Sequence, residues 1–169
     1  MAPEEYLLDA IKSINKWSQE KLNVLIFREH DLIPKLLPKI HRFRSTDEQS
    51  FYALAKDLTR LTVECLDILS MKKIVSPPKN ANWGSIKYLE NLLASKYDRT
   101  RVREVMAPIV GVYELRHADA HLPTTDIDKS FKLVGIDTSR PYVEQGFHML
   151  YMVVASLEKI AEALEQWEP

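Results

Sequence analysis

Arg116-His117-Ala118-Asp119-Ala120-His121 places an arginine, two histidines and an aspartate within one short stretch. At one site these residue types bind and cleave a phosphodiester. A histidine takes the proton of a ribose 2'-hydroxyl, an arginine holds the phosphate and stabilises its growing negative charge, and a second donor protonates the leaving 5'-oxygen. In this assignment His121 is the base, Arg116 the phosphate clamp, and His117 or Tyr113 the acid, drawn from the same chain or a second copy. Asp119 and Glu114 support the cluster. The product is a 2',3'-cyclic phosphate, and no metal is required.

Two other chemistries compete for the same residues. In a purely structural network, Arg116 pairs with Asp119 or Glu114, and the histidines occupy a helix C-terminus where positive charge is favoured. In a zinc site, His117 and His121 share a metal at i,i+4 with Asp119, His148 or Cys65 as further ligands. Against zinc, Ala118 stands where the His-Glu-x-x-His signature has its glutamate, and no second spaced ligand pair appears.

The elements that position the cluster read as helices. Tyr6, Leu7, Ile11, Ile14, Trp17, Leu22, Leu25 and Ile26 recur at three- and four-residue steps, predicting a first helix over residues 3–30. Pro34 and Pro38 break the period, leaving a turn or a short helix. Ser45 with Glu48 has capping-box form, and Phe51, Leu54, Leu58, Leu61, Cys65 and Leu69 predict a second long helix to about residue 72. A third helix fits residues 83–96, and a fourth runs from about residue 98 or 100 to about 122, where Pro123 stops it and Pro108 predicts a bend. Residues 123–139 read as a loop with an apolar patch (Phe131, Leu133, Val134, Ile136) suited to a brief strand. The last helix is predicted over residues 140–167 with Ser139 as N-cap.

On the fourth helix, the stripe Val102, Val105, Ile109, Val112 continues to Arg116 and Asp119, while Met106, Val110, Tyr113 continues to His117 and His121. In helical register His117 and His121 lie about 40° apart, and Arg116 and His121 about 140° apart. The packing face therefore turns ionisable at its end, which predicts that this end meets a cleft or another chain.

Composition bounds the setting. The chain of 169 residues, 46% hydrophobic and 28% charged, suits one domain with a substantial core. Its single cysteine, Cys65, excludes an intrachain disulfide, reads as a buried small hydrophobe, and fits the cytosol. No apolar run approaches the roughly 20 residues that span a bilayer, and the acidic start, Glu4-Glu5, does not suit a signal peptide.

The net charge of −1 conceals an asymmetry. From Leu32 to Thr46 there is no acid, but Lys35, Lys39, His41, Arg42 and Arg44 occur, so Lys35, Lys39, Arg42 and Arg44 are the candidate RNA-binding residues. His148 on the last helix reads as a satisfied core histidine. Trp17, Trp83 and the run from Met149 to Val154 read as core or dimer-seam packing.

The stretch Tyr113-Glu114-Leu115-Arg116-His117-Ala118-Asp119-Ala120-His121 resembles the motif of the HEPN superfamily, an arginine followed after four to six residues by a histidine near the end of a late helix. The resemblance implies an all-α bundle of four to five helices over residues 1–169, with a longer loop before the last helix. It further implies a homodimer that sets two motifs across a cleft, with RNA as substrate and no cofactor. Members serve in toxin–antitoxin pairs or antiviral defence, with a cognate antitoxin or a neighbouring domain as partner; others are inactive binding modules. Pro108 and the long segment after Pro123 depart from the family pattern.

Overall fold

The computed structural model describes residues 2–29, 31, 33–117 and 124–168. Helix α1 (Pro3–Leu22) begins on a proline whose missing N–H costs nothing at a first turn, with Glu4 and Glu5 at its positive end. It stops well short of the predicted residue 30. Asn23 adopts the left-handed conformation (φ 56°) and donates its N–H to the Gln19 carbonyl at 3.1 Å. Ile26, the last residue of the predicted stripe, is buried with its carbonyl accepting from the Asp67 N–H at 2.7 Å, and the next residue, Phe27, forms an isolated antiparallel bridge with Leu66. The Asn15 side chain fixes Phe27, accepting from its N–H at 2.8 Å and donating to its carbonyl at 2.7 Å.

After a single turn, α2 (Ile33–Leu36), α3 (Glu48–Leu61) is capped by Asp47 rather than by Ser45. Asp47 accepts from the Ser50 N–H at 2.7 Å, and the Ser50 hydroxyl accepts from the Asp47 N–H at 3.0 Å. Ser45 is instead fully buried. The predicted long second helix also divides: the Thr62 hydroxyl donates back to the Leu58 carbonyl at 2.7 Å, and the chain leaves α3 there. It resumes as one 3₁₀ turn and then α4 (Ile68–Met71), capped by Asp67.

Helices α5 (Ser85–Ala94) and α6 (Arg99–Leu115) follow, with the Asp98 carboxylate accepting from the Arg101 N–H at 3.0 Å to start α6. Pro108 sits within an unbroken α6. α6 ends before the predicted residue 122, and Arg116 and His117 form a turn.

The segment expected as a loop or strand folds as α7 (Thr124–Val134). Ile127, Phe131 and Val134 are spaced for one helix face, and all three pack on the core. Gly135 ends α7 at φ +78°, a conformation that favours glycine. The last helix, α8 (Tyr142–Glu165), is preceded by Pro141. Ser139 does not cap it; its hydroxyl and N–H both donate to Asp137, at 2.6 and 3.0 Å.

These helices form an all-α bundle, with 69% helix and no strand among the described residues. Among the described residues no helix is long and apolar enough to cross a membrane. α8 packs along α1 and against α3 and α6. α6 runs antiparallel to α8: the Lys96 ammonium donates to the Glu168 carbonyl at 2.8 Å, and the Ser156 hydroxyl to the Val105 carbonyl at 2.6 Å. The C-terminal end of α6 therefore lies beside the start of α8. The same end holds Ser45 against Gly146, and Phe51 of α3 stacked on Phe131 of α7 with ring centroids 5.6 Å apart.

Two features of α6 generate predictions. A Cβ at Gly111 would lie 2.6 Å from Val134 Cγ2 and 2.8 Å from the Ser130 carbonyl oxygen. Gly111→Ala should therefore destabilise the protein by about 1–3 kcal/mol in urea unfolding, although alanine is the better helix former; a more stable variant would refute close packing here. At the other end of α6, where Arg103 meets Glu90 of α5, burial pushes the Glu90 carboxyl up, but hydrogen bonds from Lys87 (3.0 Å) and Arg103 (3.1 Å) outweigh it and hold the group below the usual range. A lowered folded pKa contributes stability above the unfolded value of about 4.3 and loses it as pH falls through the folded one. Glu90→Gln should cost about 1 kcal/mol at pH 7, and its deficit should shrink toward pH 3. A deficit independent of pH would exclude the charge as its source.

Candidate functional site

Arg116 follows the last turn of α6, its N–H bonded to the Val112 carbonyl at 3.2 Å. Its side chain is half-buried and folds back over Tyr113. The guanidinium carbon lies 3.4 Å from the ring centroid, and one guanidinium N–H donates to the Tyr113 carbonyl at 3.1 Å. Both contacts position the cation and neither neutralises it. Among the described residues Arg116 has no ion-pair partner.

This contrasts with the other partly buried arginines. Arg44 is paired with Asp57, and Arg42 faces Glu4 at 3.8 Å. Stacking on an aromatic face leaves the guanidinium edge and most of its donors open to an anion.

His117 is exposed and next to Arg116 in the same turn. Tyr113 is half-buried, packed on the core, and its hydroxyl has no partner among the described residues. Glu114 is exposed, but its carboxylate accepts from the buried Ser130 hydroxyl of α7 at 2.9 Å. Glu114 is thus committed to the α6–α7 contact and does not pair with Arg116. Asp119 and His121 lie outside the described residues. The structure therefore joins Arg116, His117 and Tyr113 in one turn, and the helical register expected to carry on to residue 121 stops at Leu115.

Of the ligands weighed for zinc, Asp119 and His121 lie outside the described residues. Cys65 lies past the C-terminal end of α3, beside Phe27 and Leu66, at the far end of the bundle from Arg116. It is buried, its thiol donates to the Arg60 carbonyl at 3.1 Å, and burial pushes its pKa up. That makes it the buried hydrophobe the sequence suggested and a poor ligand or nucleophile. His148 is not a core residue: it is half-buried and lines a hollow of about 370 Å³ with Gly135, Asp137, Arg140 and Glu144. No cluster of three or more His, Cys, Asp or Glu suited to a metal exists among the described residues.

The four candidate RNA-binding cations divide. Lys35 and Lys39 are exposed, without ion pairs among the described residues. Arg42 faces Glu4 at 3.8 Å and Phe43 at 5.0 Å from the ring centroid. Arg44 has a structural role: it pairs with Asp57 and donates to the Lys39 carbonyl at 2.9 Å, tying the turn to α3. Sequence reading passed over Phe43, whose ring is 63% exposed between two arginines; that flanking was the available signal. It also passed over Ser130, which has no signature in the sequence.

No protein-family model, no curated protein and no solved structure matches the chain.

Because Arg116 uses the Tyr113 ring face and backbone carbonyl, Tyr113→Phe should stay within about 0.5 kcal/mol of wild type in urea unfolding. Tyr113→Leu, which keeps bulk and loses the ring, should cost about 1 kcal/mol or more. Equal losses in both would transfer the role to the hydroxyl.

Proposed function

We propose that the chain is a metal-independent endoribonuclease of HEPN type, acting as a cytoplasmic homodimer in toxin–antitoxin or antiviral defence. It cleaves RNA by attack of a 2'-hydroxyl on the adjacent phosphate, leaving a 2',3'-cyclic phosphate. Arg116 clamps the phosphate, His121 is the base, and His117 is the acid that protonates the leaving oxygen. Glu114 belongs to the scaffold. A cognate antitoxin or a neighbouring domain restrains the activity.

The observation that supports this reading most is the Arg116 guanidinium, held over the Tyr113 ring beside an exposed histidine and without a carboxylate partner among the described residues. The end of a helix carries partial negative charge on its free carbonyls, so a phosphate is repelled there unless a cation offsets it. Arg116 is stacked where it does so, and its charge is not cancelled by a carboxylate among the described residues. A guanidinium of this kind stabilises the dianionic character of a phosphorane-like transition state more than it does the monoanionic ground state.

The test is incubation of mixed RNA in EDTA with wild type, Arg116→Ala and His121→Ala, followed by analysis of fragment ends. Wild type should produce cyclic phosphates, and each variant should fall by about a hundredfold or more. Binding without cleavage by wild type would make the chain an inactive module and remove the nuclease assignment. Cleavage that survives both substitutions would remove the assignment of these residues.

A further inference from the structure

The turn between α2 and α3 carries an aromatic ring that folding does not use. Phe43 is 63% exposed, yet the chain on both sides is fixed. Ile40 is buried, Arg44 is tied to Asp57 and to the Lys39 carbonyl, and Ser45 is fully buried against Gly146 of α8. The ring is therefore displayed from a clamped backbone.

Its surroundings are cationic. The Arg42 guanidinium carbon lies 5.0 Å from the Phe43 centroid, and Lys35, Lys39 and His41 are exposed on the same acid-free segment. Two nearby acids are occupied, whereas Asp31 and Glu48 are exposed at the two ends of the segment. Asp47 caps α3, where hydrogen bonds from Ser50 hold its pKa down, and Glu4 faces Arg42 at 3.8 Å. Through the Ser45–Gly146 contact, the turn stands at the end of the bundle where α6 finishes with Arg116 and His117.

We propose that this turn is a platform for single-stranded RNA, in which Phe43 stacks on one base, Arg42 reaches the adjoining phosphate, and Lys35 and Lys39 contact phosphates further along. The assignment rests on RNA being the ligand of the Arg116 end. An exposed aromatic face between cations matches a strand that offers a π-face and an anionic backbone at each nucleotide. In a duplex the base faces are covered by their neighbours, so the ring has nothing to stack on.

The probe is a fluorescently labelled 12-nucleotide mixed-sequence 2'-O-methyl RNA, which lacks the attacking hydroxyl and so reports binding alone. Wild type should bind the single strand more tightly than the same strand annealed to its complement. Phe43→Ala should weaken single-strand binding about tenfold, and Phe43→Trp should restore it. Lys35→Ala with Lys39→Ala should flatten the salt dependence by about 1.4 in logarithmic slope. Circular dichroism of Phe43→Ala should match wild type, because the side chain is outside the core.

Unchanged affinity in Phe43→Ala, or no preference for the single strand, overturns the platform. Unchanged RNA affinity with self-association lost in sedimentation would assign the ring to protein contact, and equally overturns it. The two readings fail separately. Phe43-dependent binding without cleavage of ordinary RNA sustains the platform and removes the nuclease, whereas cleavage with Phe43-independent binding does the reverse.

Discussion

The close approach of α7 to α6 at Gly111 is the constraint on which the candidate end of the molecule depends. With Val134 and the Ser130 carbonyl within 3 Å of where a side chain would begin, only hydrogen fits there. That approach brings the Ser130 hydroxyl to Glu114 and carries Phe131 onto Phe51 of α3. Through Phe51 and Tyr142 the contact continues to α8, whose Gly146 is tight against Ser45. Two glycines thus set the spacing of four elements, and the turn bearing Arg116 and the turn bearing Phe43 are both fixed relative to it. Close packing of this kind transmits small changes, because neighbouring side chains have no free volume in which to absorb them.

Much of the architecture was legible because helical periodicity depends on apolar spacing alone. The cores of α1, α3, α5, α6 and α8 all fall inside segments read from that period. The ends were less legible because termination is a contest between local hydrogen bonds and continued helix. Asn23, Thr62 and Asp47 each decide a boundary by a side-chain or backbone bond that apolar spacing does not encode. Helix α7 was missed for a related reason. Phe131, Leu133 and Val134 suggest alternation only if Ile127 is left out; with it, the spacing is that of a helix, and Leu133 is the partly exposed exception.

The cluster shows the same division. Residue types identified the stretch, and Arg116 is held half-buried at the end of the packing stripe, as its register indicates. Partnering was not legible. Glu114 sits two positions from Arg116 and was a natural candidate for its ion pair, yet its carboxylate turns to Ser130, sixteen positions away. Arg44 was grouped with the RNA-binding cations on the strength of its neighbours, yet Asp57, thirteen positions on, claims it. Both reassignments come from contacts between elements distant in sequence, helix to helix for Glu114 and turn to helix for Arg44, which a linear pattern cannot supply.

The difference between Arg44 and Arg116 bears directly on function. A partly buried guanidinium needs compensation for its lost hydration, and a carboxylate is the usual source. Arg44 takes that route, so an incoming phosphate would have to compete with Asp57. Among the described residues, Arg116 takes its compensation from an aromatic face and a carbonyl, which lower the cost of burial and leave the positive charge in place. Stability alone gives no reason to prefer the second arrangement, since the exposed Glu114 is close in sequence and is diverted elsewhere. The anionic ligand of the proposed function would give one. Such a ligand gains from a cation already oriented by stacking, because the entropy of fixing that side chain was lost on folding rather than on binding.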